Sequence, residues 1–381
     1  MGYRVDAAVL GAGLAGSSLA KDLADRGWDT VLLDRQTFPR HKVCGEFLSP
    51  EAQSTLEAFG LMESLKTLRP SLIERLRFVF ENGAEIEMPL PGTAWGLSRY
   101  SLDTALHHAA VEAGARIRTG AVVTAVQPSG KGYKVWTRQN GEDRLIEART
   151  VIAAWGGNPR SGLPGYRPGR SAKQSYMGVK SHFHGIEMEP VVEMYFFRGG
   201  YLGICPIEGG LVNAAALLER ESFTNTGKSI QAFIEEAARR NPRLKKRLAH
   251  AEMVAGTQTA VAPVLLNRRP VPWDKMPILG DAAAMIPPLC GDGMSMALRS
   301  AALCAPLTDR YLRGNLSMEE WRDTFTRSIQ KEFNRPLRWG SLLQWLLGMP
   351  QLSRLLPGAA RLAPGIAQEL VRATRLKPYR A

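Results

Sequence analysis

Val5-Asp6-Ala7-Ala8-Val9-Leu10 leads directly into Gly11-Ala12-Gly13-Leu14-Ala15-Gly16 near the start of this chain. The first run has the length and apolar character of a buried strand, and residues 17–24 have the composition of a helix. A second apolar run, Thr30-Val31-Leu32-Leu33, ends in Asp34. The order of strand, glycine-rich turn, helix, strand and acid is typical of a βαβ unit that binds a dinucleotide.

Each glycine of this turn has its own steric role. Gly11 permits the tight turn, Gly13 lets the backbone approach a pyrophosphate, and Gly16 lets the helix pack closely on the strand. The N-terminus of the helix offers free N–H groups to the phosphates. Asp34 lies about 20 residues after the turn, where a carboxylate accepts hydrogen bonds from an adenosine ribose.

The composition is that of an ordinary globular protein. Its 381 residues are 45% hydrophobic and 22% charged, which favours two or three domains with ample core. No apolar run is long enough to cross a bilayer, and the first residues lack a signal-peptide pattern. The four cysteines are scattered and form no CxxC pair, which favours a reducing, cytoplasmic location over disulfides or a metal site.

The net charge of +13 is a second global feature. A basic excess can attract nucleic acid, a membrane surface or an anionic ligand. No nucleic-acid-binding motif accompanies it, so we expect no nucleic-acid partner and interpret the excess as a basic solvated surface. The sequence gives no prediction of oligomeric state.

Turn signals divide the rest of the chain into strands and helices. Asn82-Gly83 and Asn140-Gly141 each separate two strand-like runs, which predicts two hairpins. Short runs joined by glycine pairs between residues 191 and 216 predict an antiparallel sheet. Residues 101–113 have the pattern of a helix with Ser101 as its cap.

Parallel nucleotide-binding segments thus alternate with antiparallel ones, which predicts an α/β fold with a discontinuous Rossmann-like domain. We assign that domain to residues 1–70, 95–165 and 260–330. An antiparallel-sheet substrate domain, residues 71–94 and 166–259, is inserted into it, and residues 331–381 form a C-terminal helical cap. The ligand is expected at the domain junction, outside the carboxyl ends of the parallel strands.

Three further segments extend the pattern: Phe38–Glu46, Arg99–Asp103, and Gly280-Asp281-Ala282-Ala283 with the following Gly291–Met294. In this order and spacing, they resemble FAD-dependent oxidoreductases with the p-hydroxybenzoate-hydroxylase fold. The likeness is nearest to the geranylgeranyl-reductase branch, with aromatic hydroxylases and flavin halogenases as relatives. It covers about residues 1–310.

The resemblance implies FAD as the cofactor. It implies that Asp281 accepts a hydrogen bond from a ribityl hydroxyl, and that Arg40 and Arg99 lie near the phosphates or the ribityl chain. The helix that begins near Gly293 would direct its N-terminus at the flavin N1 and C2=O edge. The predicted cofactor-binding residues are Gly11, Gly13, Ala15, Gly16, Asp34, Arg35, Arg40, Cys44, Gly45, Arg99, Val123, Gly280, Asp281, Gly291, Gly293 and Met294.

The chain carries one dinucleotide fingerprint, so NAD(P)H as electron donor would dock transiently at the flavin, or a partner reductase would reduce it. Hydroxylases of the family usually carry Asp-Gly after the strand at residues 150–154. This chain has Trp155-Gly156 there, which weakens the case for direct use of NAD(P)H.

Three chemistries compete. The leading interpretation is flavin monooxygenation of a hydrophobic or aromatic small molecule, which needs a dry pocket. The alternative is reduction of a C=C bond in a polyprenyl or lipid substrate, which needs a proton donor near the ring. The tryptophan-rich segment of halogenases is absent, and Tyr201–Pro206 occupies its place. A non-enzymatic flavin-binding or lipid-surface protein is the hypothesis from another class.

Cys44 and Tyr201 are the candidate catalytic residues. Cys44 matches a cysteine that the reductase branch places near the flavin, where it would donate a proton or line the pocket. Tyr201 begins a segment that resembles the branch's tyrosine-to-proline motif, but Gly203 stands where an aromatic residue is usual. A pocket wall without that side chain is expected to be roomier, which weakens a specific prenyl-reductase assignment.

Two other features carry open alternatives. His182 and His184 lie two apart on a predicted strand, so they form either an acid–base pair or part of a wet sheet face. Between residues 339 and 347, tryptophan and leucine crowd together among arginines. This segment is either a helical cap over the domain junction or an interfacial anchor that contacts a membrane peripherally.

Overall fold

The structure of the protein is a computed structural model that describes residues 3–130, 132–157, 162–166, 175–266, 269–348 and 364–380. Its strands are β1 Tyr3–Leu10, β2 Thr30–Leu33, β3 Phe47–Leu48, β4 Ser71–Val79, β5 Glu85–Gly96, β6 Arg116–Arg118, β7 Val122–Ser129, β8 Gly132–Gln139, β9 Glu142–Ala153, β10 Tyr176–His184, β11 Val191–Phe197, β12 Gly200–Pro206, β13 Val212–Glu219, β14 Glu252–Met253 and β15 Thr259–Val264. Its helices are α1 Leu14–Asp25, α2 Pro50–Ala58, α3 Met62–Lys66, α4 Arg99–Glu112, α5 Ile230–Arg240, α6 Pro242–Arg247, α7 Gly293–Leu312, α8 Met318–Gly348 and α9 Pro364–Ala373.

The first sheet has six strands in the order β6-β2-β1-β9-β8-β7. β1 lies between β2 and β9 and is parallel to both, and β2 is parallel to β6. The strands β9, β8 and β7 form an antiparallel meander. The predicted βαβ unit is confirmed, because α1 connects the neighbouring parallel strands β1 and β2.

The second sheet has nine strands in the order β14-β10-β13-β12-β11-β4-β5-β3, with β15 paired to β10. The antiparallel pairings β11–β12 and β12–β13 confirm the sheet predicted over residues 191–216. One pairing differs from that prediction, because β4 and β11 are parallel. A parallel pair needs a long crossover, and here the connection runs through much of the first sheet.

Helices pack against both sheets. On the first sheet, Leu19 and Leu23 of α1 and Leu298 of α7 belong to one buried core. On the second sheet, one face packs against α5 and α6. The opposite face carries an apolar set that includes Phe196 and Tyr201 and reaches residues of α8.

Helix α4 begins two residues before the predicted start. Its cap is Ser98, whose side chain accepts a hydrogen bond from the N–H of Ser101, so the prediction of Ser101 as cap is wrong. Ser98 has extended backbone angles, as an N-cap residue requires. Arg99 is therefore the first residue of the helix.

The C-terminal part is helical where it is described, in α8 and α9. Residues 349–363, between these two helices, lie outside the described residues. Helix α8 runs without interruption across residue 331, and β15 crosses residue 260, so the proposed division into domains stays a prediction. Among the described helices, none combines the length and the hydropathy that crossing a membrane requires.

Candidate functional site

The glycine-rich turn has no room for a side chain at Gly11 and Gly16, whereas its backbone is accessible at Gly13. Gly11 has a φ of +111°, and a Cβ there would lie 2.4 Å from the carbonyl oxygen of Ala154. A Cβ on Gly16 would lie 1.8 Å from the carbonyl oxygen of Gly11. A Cβ on Gly13 would meet only Nη2 of Arg99, at 3.6 Å. The backbone is thus accessible at Gly13, where the dinucleotide fingerprint requires it to be.

Asp34 ties this turn to the end of β2. Its Oδ2 accepts a hydrogen bond of 2.8 Å from the N–H of Ala12, and its Oδ1 accepts one of 2.8 Å from the N–H of Gln36. Nη2 of Arg40 lies 3.9 Å from Oδ2. A carboxylate has about four acceptor sites, so Asp34 can also accept bonds from a ligand hydroxyl.

A cavity of about 310 Å³ opens at the carboxyl ends of β1 and β2. Among its lining residues are five of the predicted cofactor-binding residues: Gly11, Asp34, Arg35, Arg40 and Val123. His41, Lys42 and Trp155 also line it. Its position is the one at which ligands bind in parallel α/β sheets.

Three cationic side chains converge on this region. Arg99 is buried, and its guanidinium makes two hydrogen bonds of 2.8 Å to the carboxylate of Asp103. Burial works to lower the pKa of Arg99, but Asp103 and Cys44 outweigh it and the pKa is raised. Burial lowers the pKa of Arg40 and of Lys42, although nearby aspartates act in the opposite direction.

Lys42 is a further residue of the site that was not predicted from the sequence. A Cβ on Gly156 would lie 3.8 Å from its Nζ, and Asp281 is among the charges that act on it. Its signal was its place in the Phe38–Glu46 segment, next to Arg40. Three cations around an open glycine backbone suit a pyrophosphate, which carries two negative charges. The residues present therefore fit the diphosphate part of FAD.

The predicted segment Gly280-Asp281-Ala282-Ala283 follows residues that pair with the end of β9, on the side of β9 away from β1. The N–H of Leu279 donates to the carbonyl of Ala153 at 2.7 Å, and Ser300 Oγ accepts from the N–H of Gly280 at 2.9 Å. A Cβ on Gly280, whose φ is +59°, would lie 3.7 Å from Cβ of Ala15. This contact brings the Gly-Asp segment next to the first turn of α1.

The start of α7 supplies the other predicted residues. Gly293 begins the helix, and a Cβ there would have no heavy atom within 4 Å. Met294 is buried in the core, and Gly291, with φ +72°, packs against the ring of Phe47. Gly45 is likewise in open space. The free space at Gly45 and Gly293 is what a flat ring needs, while the roles of all these residues as cofactor ligands stay predictions.

Asp292 is the N-cap residue of α7, although its side chain makes no capping hydrogen bond. It is buried, its carboxylate lies 3.5 Å from Nη1 of Arg375, and neither carboxylate oxygen has a hydrogen-bond partner among the described residues. Burial raises its pKa to about 7, with Arg375 lowering it and Glu51 raising it. The helix α7 therefore begins at a carboxyl group that titrates near neutral pH.

We expect this carboxyl group to make stability depend on pH. An unfolded aspartate titrates near 3.9, so between about pH 4 and pH 7 the folded protein holds a proton that the unfolded chain has lost. Stability should fall as pH rises through that window. Relative to Asp292→Asn, the native protein should lose roughly 3 kcal/mol between about pH 4.5 and pH 7 in urea unfolding. Asp323→Asn, on the exposed side of α8, is the control, and parallel curves for all three proteins would contradict the prediction.

Cys44 lies between the two sheets. Its Sγ accepts a hydrogen bond of 3.4 Å from the N–H of Glu46, and its carbonyl accepts one of 3.0 Å from Asn213. Burial raises the pKa of the Cys44 thiol. The thiol therefore keeps its proton at neutral pH and is a weak nucleophile.

Tyr201 lies in the apolar face of the second sheet. It is buried, its ring centroid is 5.8 Å from that of Phe196, and its hydroxyl has no hydrogen-bond partner among the described side chains and backbone. Burial raises its pKa well above the usual range. The catalytic roles of Cys44 and Tyr201 stay predictions.

The space beside Gly203 is filled. Gly203 is the cross-strand neighbour of Met194, and a Cβ there would lie 3.0 Å from the sulfur of Met194. The expectation of a roomier pocket wall at this position is therefore wrong, because the methionine of the adjacent strand occupies the volume.

The two histidines of β10 have different surroundings. His182 is buried and contacts Glu46 and Lys180, whereas His184, at the end of the strand, is exposed. They do not act as a pair. Glu46 and Lys180 were not predicted as site residues, because glutamate and lysine are ordinarily solvent-exposed and their burial here has no local sequence signal.

Comparison with known proteins identifies the family of this chain. The model of the FAD binding domain family matches residues 4–316, and the chain belongs to that family. It is an FAD-dependent oxidoreductase, which confirms the predicted cofactor and class.

Two relatives and two solved structures illustrate the range of similar proteins. Digeranylgeranylglycerophospholipid reductase 1 of Methanothermobacter thermautotrophicus is 28% identical over 78% of this chain and 75% of its own. Menaquinone reductase of Mycolicibacterium smegmatis is 26% identical over 92% of this chain and 86% of its own. A flavin-dependent brominase has a TM-score of 0.77 at 18% identity, with 97% of this chain and 93% of its own covered. A geranylgeranyl bacteriochlorophyll reductase-like protein of Thermoplasma acidophilum has a TM-score of 0.71 at 19% identity, with 97% and 99% covered.

These structural likenesses establish the fold, which is the α/β flavoprotein fold expected from the sequence. The sequence relatives named above are reductases. This matches the branch of the family to which the Phe38–Glu46 segment is most similar.

Proposed function

We propose that this oxidoreductase reduces C=C bonds in a prenylated lipid or quinone, with NAD(P)H as the electron donor. The observation that carries the proposal is the position of the Cys44 thiol, which is held between the two sheets next to Arg99 by contacts with Glu46 and Asn213. Burial raises the pKa of this thiol. Reduction of an alkene consumes one hydride and one proton, and a thiol whose pKa is raised can give the proton. The names of the reductase relatives support the substrate class.

The residues of the chain have separate tasks in this proposal. Arg40, Lys42 and Arg99 neutralise the diphosphate of FAD, and the open backbone at Gly13 donates to it. Asp34 and Asp281 accept bonds from the hydroxyls of the ribose and of the ribityl chain. Bound FAD would supply the hydride.

The apolar face of the second sheet suits a hydrophobic substrate. Phe196, Tyr201 and Leu289 lie in one buried set with Leu343 and Leu347 of α8 packed against it. Such a surface excludes water and gives few polar contacts, which an isoprenoid chain does not need. Because Met194 fills the space beside Gly203, the missing aromatic side chain at this position is no longer an argument against a prenyl substrate.

The test supplies the purified, FAD-loaded protein with NADPH or NADH and with a prenylated quinone or a geranylgeranyl lipid. We expect oxidation of the nicotinamide and a product that has gained two hydrogen atoms, without consumption of oxygen. A product that has gained an oxygen atom, with matching oxygen uptake, would replace this proposal by the monooxygenase alternative. If dithionite reduces the flavin but neither NADH nor NADPH does, the electron donor would be a partner reductase.

Cys44→Ala should lower turnover about 100-fold, because the reaction loses its proton donor. FAD affinity and the rate of flavin reduction by NAD(P)H should stay within about twofold of the native values. The matched control is Cys304→Ala, since Cys304 is buried within α7. If Cys44→Ala keeps full activity, the thiol is not the proton donor and only lines the pocket.

We further propose that α8 contacts the membrane in which such a substrate resides. Lys331, Arg335, Arg338, Leu342 and Trp345 are all exposed and follow one another at helical spacings of four and three residues. They therefore lie on one face of α8, with cations first and apolar side chains toward its end. Trp345 is 55% exposed. Cations followed by an exposed tryptophan are suited to an anionic lipid surface.

Arg335→Ala with Arg338→Ala should weaken binding to anionic lipid vesicles about 30-fold, at about 1 kcal/mol per cation. Vesicle co-sedimentation measures this. Lys245→Ala with Lys246→Ala removes the same charge from α6, which packs on the opposite face of the second sheet, and should leave binding unchanged. Equal losses for the two double variants would indicate unspecific attraction by the net charge.

A further inference from the structure

The residues that follow α9 pack against α2 and α7. The N–H of Tyr379 donates to Oγ of Ser54 in α2 at 2.8 Å. The carbonyl of Lys377 accepts a hydrogen bond of 2.7 Å from Nη2 of Arg299 in α7. We call residues 374–379 the C-terminal strap. It joins the last described helix to the two helices that flank the predicted ring end of the cofactor site.

Arg375 of the strap lies between two buried carboxyl groups. Its Nη1 is 3.5 Å from Oε2 of Glu51 in α2 and 3.5 Å from Oδ1 of Asp292, the residue before α7. The exposed fractions are 8% for Arg375, 7% for Glu51 and 0% for Asp292. Nε of Arg375 and both carboxylate oxygens of Asp292 have no hydrogen-bond partner among the described residues. The docked strap therefore keeps a carboxyl group out of water without satisfying it, which costs free energy once that group is charged.

The groups that face Asp292 act on it in opposite directions. Burial is the largest influence and raises its pKa to about 7, and Glu51 acts in the same direction. Arg375, Ser49 and the backbone of Leu376 lower the pKa. The neighbouring thiol of Cys290 is protonated at neutral pH, because burial and Asp292 raise its own pKa. Two of the groups that act on Asp292, Arg375 and Leu376, belong to the strap.

Opening of the strap would change this balance. Water would reach the carboxyl group, and its pKa would return toward the ordinary value of about 3.9. Between about pH 4 and pH 7 the open state therefore binds fewer protons than the closed state. Rising pH favours the state with fewer bound protons, so ionisation of Asp292 promotes opening and protonation promotes closure.

The strap and α9 also contact the apolar face of the second sheet. The guanidinium of Arg375 lies over the ring of Phe47, 5.7 Å from its centroid. Phe47 belongs to the same buried apolar set as Tyr201, and Val371 of α9 packs against that set. The face that suits a hydrophobic substrate is therefore covered in part by the segment that Asp292 helps to hold.

We propose that the C-terminal strap controls the entry of the hydrophobic substrate: it opens when Asp292 is ionised and then uncovers the apolar face of the second sheet. Its role in substrate entry rests on the proposed function, whereas the opening itself does not. At about pH 5.5 the strap stays closed and the substrate enters slowly. At about pH 8 the open state is more populated and entry is faster.

The first test is hydrogen–deuterium exchange of the full chain, with and without FAD, between about pH 5.5 and pH 8. After correction for the intrinsic pH dependence of exchange, protection of residues 374–379 should fall at least about tenfold across this range. In Asp292→Asn it should stay constant within about twofold, because the variant has no carboxyl proton to lose. Glu369→Gln removes an exposed carboxylate from α9 and should behave as the native protein. Protection that does not change with pH in the native protein would overturn the proposal.

Local opening must be distinguished from unfolding of the whole protein, which also depends on Asp292. We expect the strap to exchange at least about 100-fold faster than the amides of β1 at every pH. Equal protection would mean that the strap opens only when the protein unfolds, and would overturn the proposal. If Asp292→Asn does not fold, Glu51→Gln replaces it. Loss of the Glu51 charge lowers the pKa of Asp292, so the fall in protection should level off at a lower pH, and an unchanged profile would overturn the proposal.

The second test is the rate at which the FAD-loaded protein binds geranylgeraniol, followed by stopped-flow tryptophan fluorescence. Because only the open fraction admits the probe, the association rate should rise at least about tenfold from pH 5.5 to pH 8 in the native protein and in Glu369→Gln. It should stay constant in Asp292→Asn. A constant native rate, with opening seen in exchange, would overturn the role of the strap in entry. If the native protein neither binds geranylgeraniol nor reduces a prenylated substrate, the proposed function fails, and the exchange data alone decide whether the strap opens.

Discussion

Gly13→Val yields a folded protein that has lost FAD. Gly13 has extended backbone angles that any residue can adopt, and a Cβ there meets only Nη2 of Arg99, at 3.6 Å. The apoprotein should therefore keep its stability. The valine side chain fills the approach to the backbone N–H groups, and the loss of two charge-assisted hydrogen bonds costs roughly 3–6 kcal/mol. FAD affinity should fall about 1,000-fold, measured by flavin fluorescence on titration.

Gly16→Ala gives the contrasting result. Its Cβ would lie 1.8 Å from the carbonyl oxygen of Gly11, so the backbone of the turn must move and the fold itself is damaged. Gly365→Val, at an exposed helical glycine with no atom near its Cβ position, is the control for an added side chain. A yellow Gly13→Val protein with native affinity would show that the diphosphate does not lie at this turn.

Asp103→Asn should destabilise the FAD-free protein by about 3–5 kcal/mol. The change removes the charge that balances the guanidinium of Arg99, and both side chains are almost fully buried. An unpaired buried charge is among the most costly single defects. Urea unfolding of the FAD-free protein measures the loss. Asp143→Asn breaks an exposed pair with Arg138 and should leave stability unchanged within error.

FAD should reduce the loss caused by Asp103→Asn. Arg99 lies next to Gly13, so the diphosphate would give its charge a new partner. We expect the difference in stability between native protein and variant to be smaller at saturating FAD than without it. An equal difference in both conditions would place the diphosphate away from Arg99.

Local steric rules explain what the sequence could predict. The glycine turn, the hairpins at Asn82-Gly83 and Asn140-Gly141, and the helix after Gly293 each depend on neighbouring residues. No local steric rule predicts a role for the segment Phe38–Glu46, and only its resemblance to a known family indicates one. Its cations meet Arg99 only in the folded protein.

Contacts between distant segments explain what it could not. The parallel pairing of β4 with β11 depends on a crossover whose length carries no local signal. The space at Gly203 is occupied because the register of β11 puts Met194 opposite it. Buried contacts join Glu46 to Lys180 and His182, which are charged or polar residues that composition alone places at the surface.

The pairing of β4 with β11 also has a consequence for synthesis on the ribosome. β1 lacks one neighbour until residues 142–153 have emerged, and β4 lacks one until residues 191–197 have done so. A nascent chain that ends before these points carries strand edges rich in valine and leucine with nothing beside them. Such a chain can associate with other unfinished chains through these edges. We therefore expect the yield of folded protein to increase with slow translation or with added chaperones.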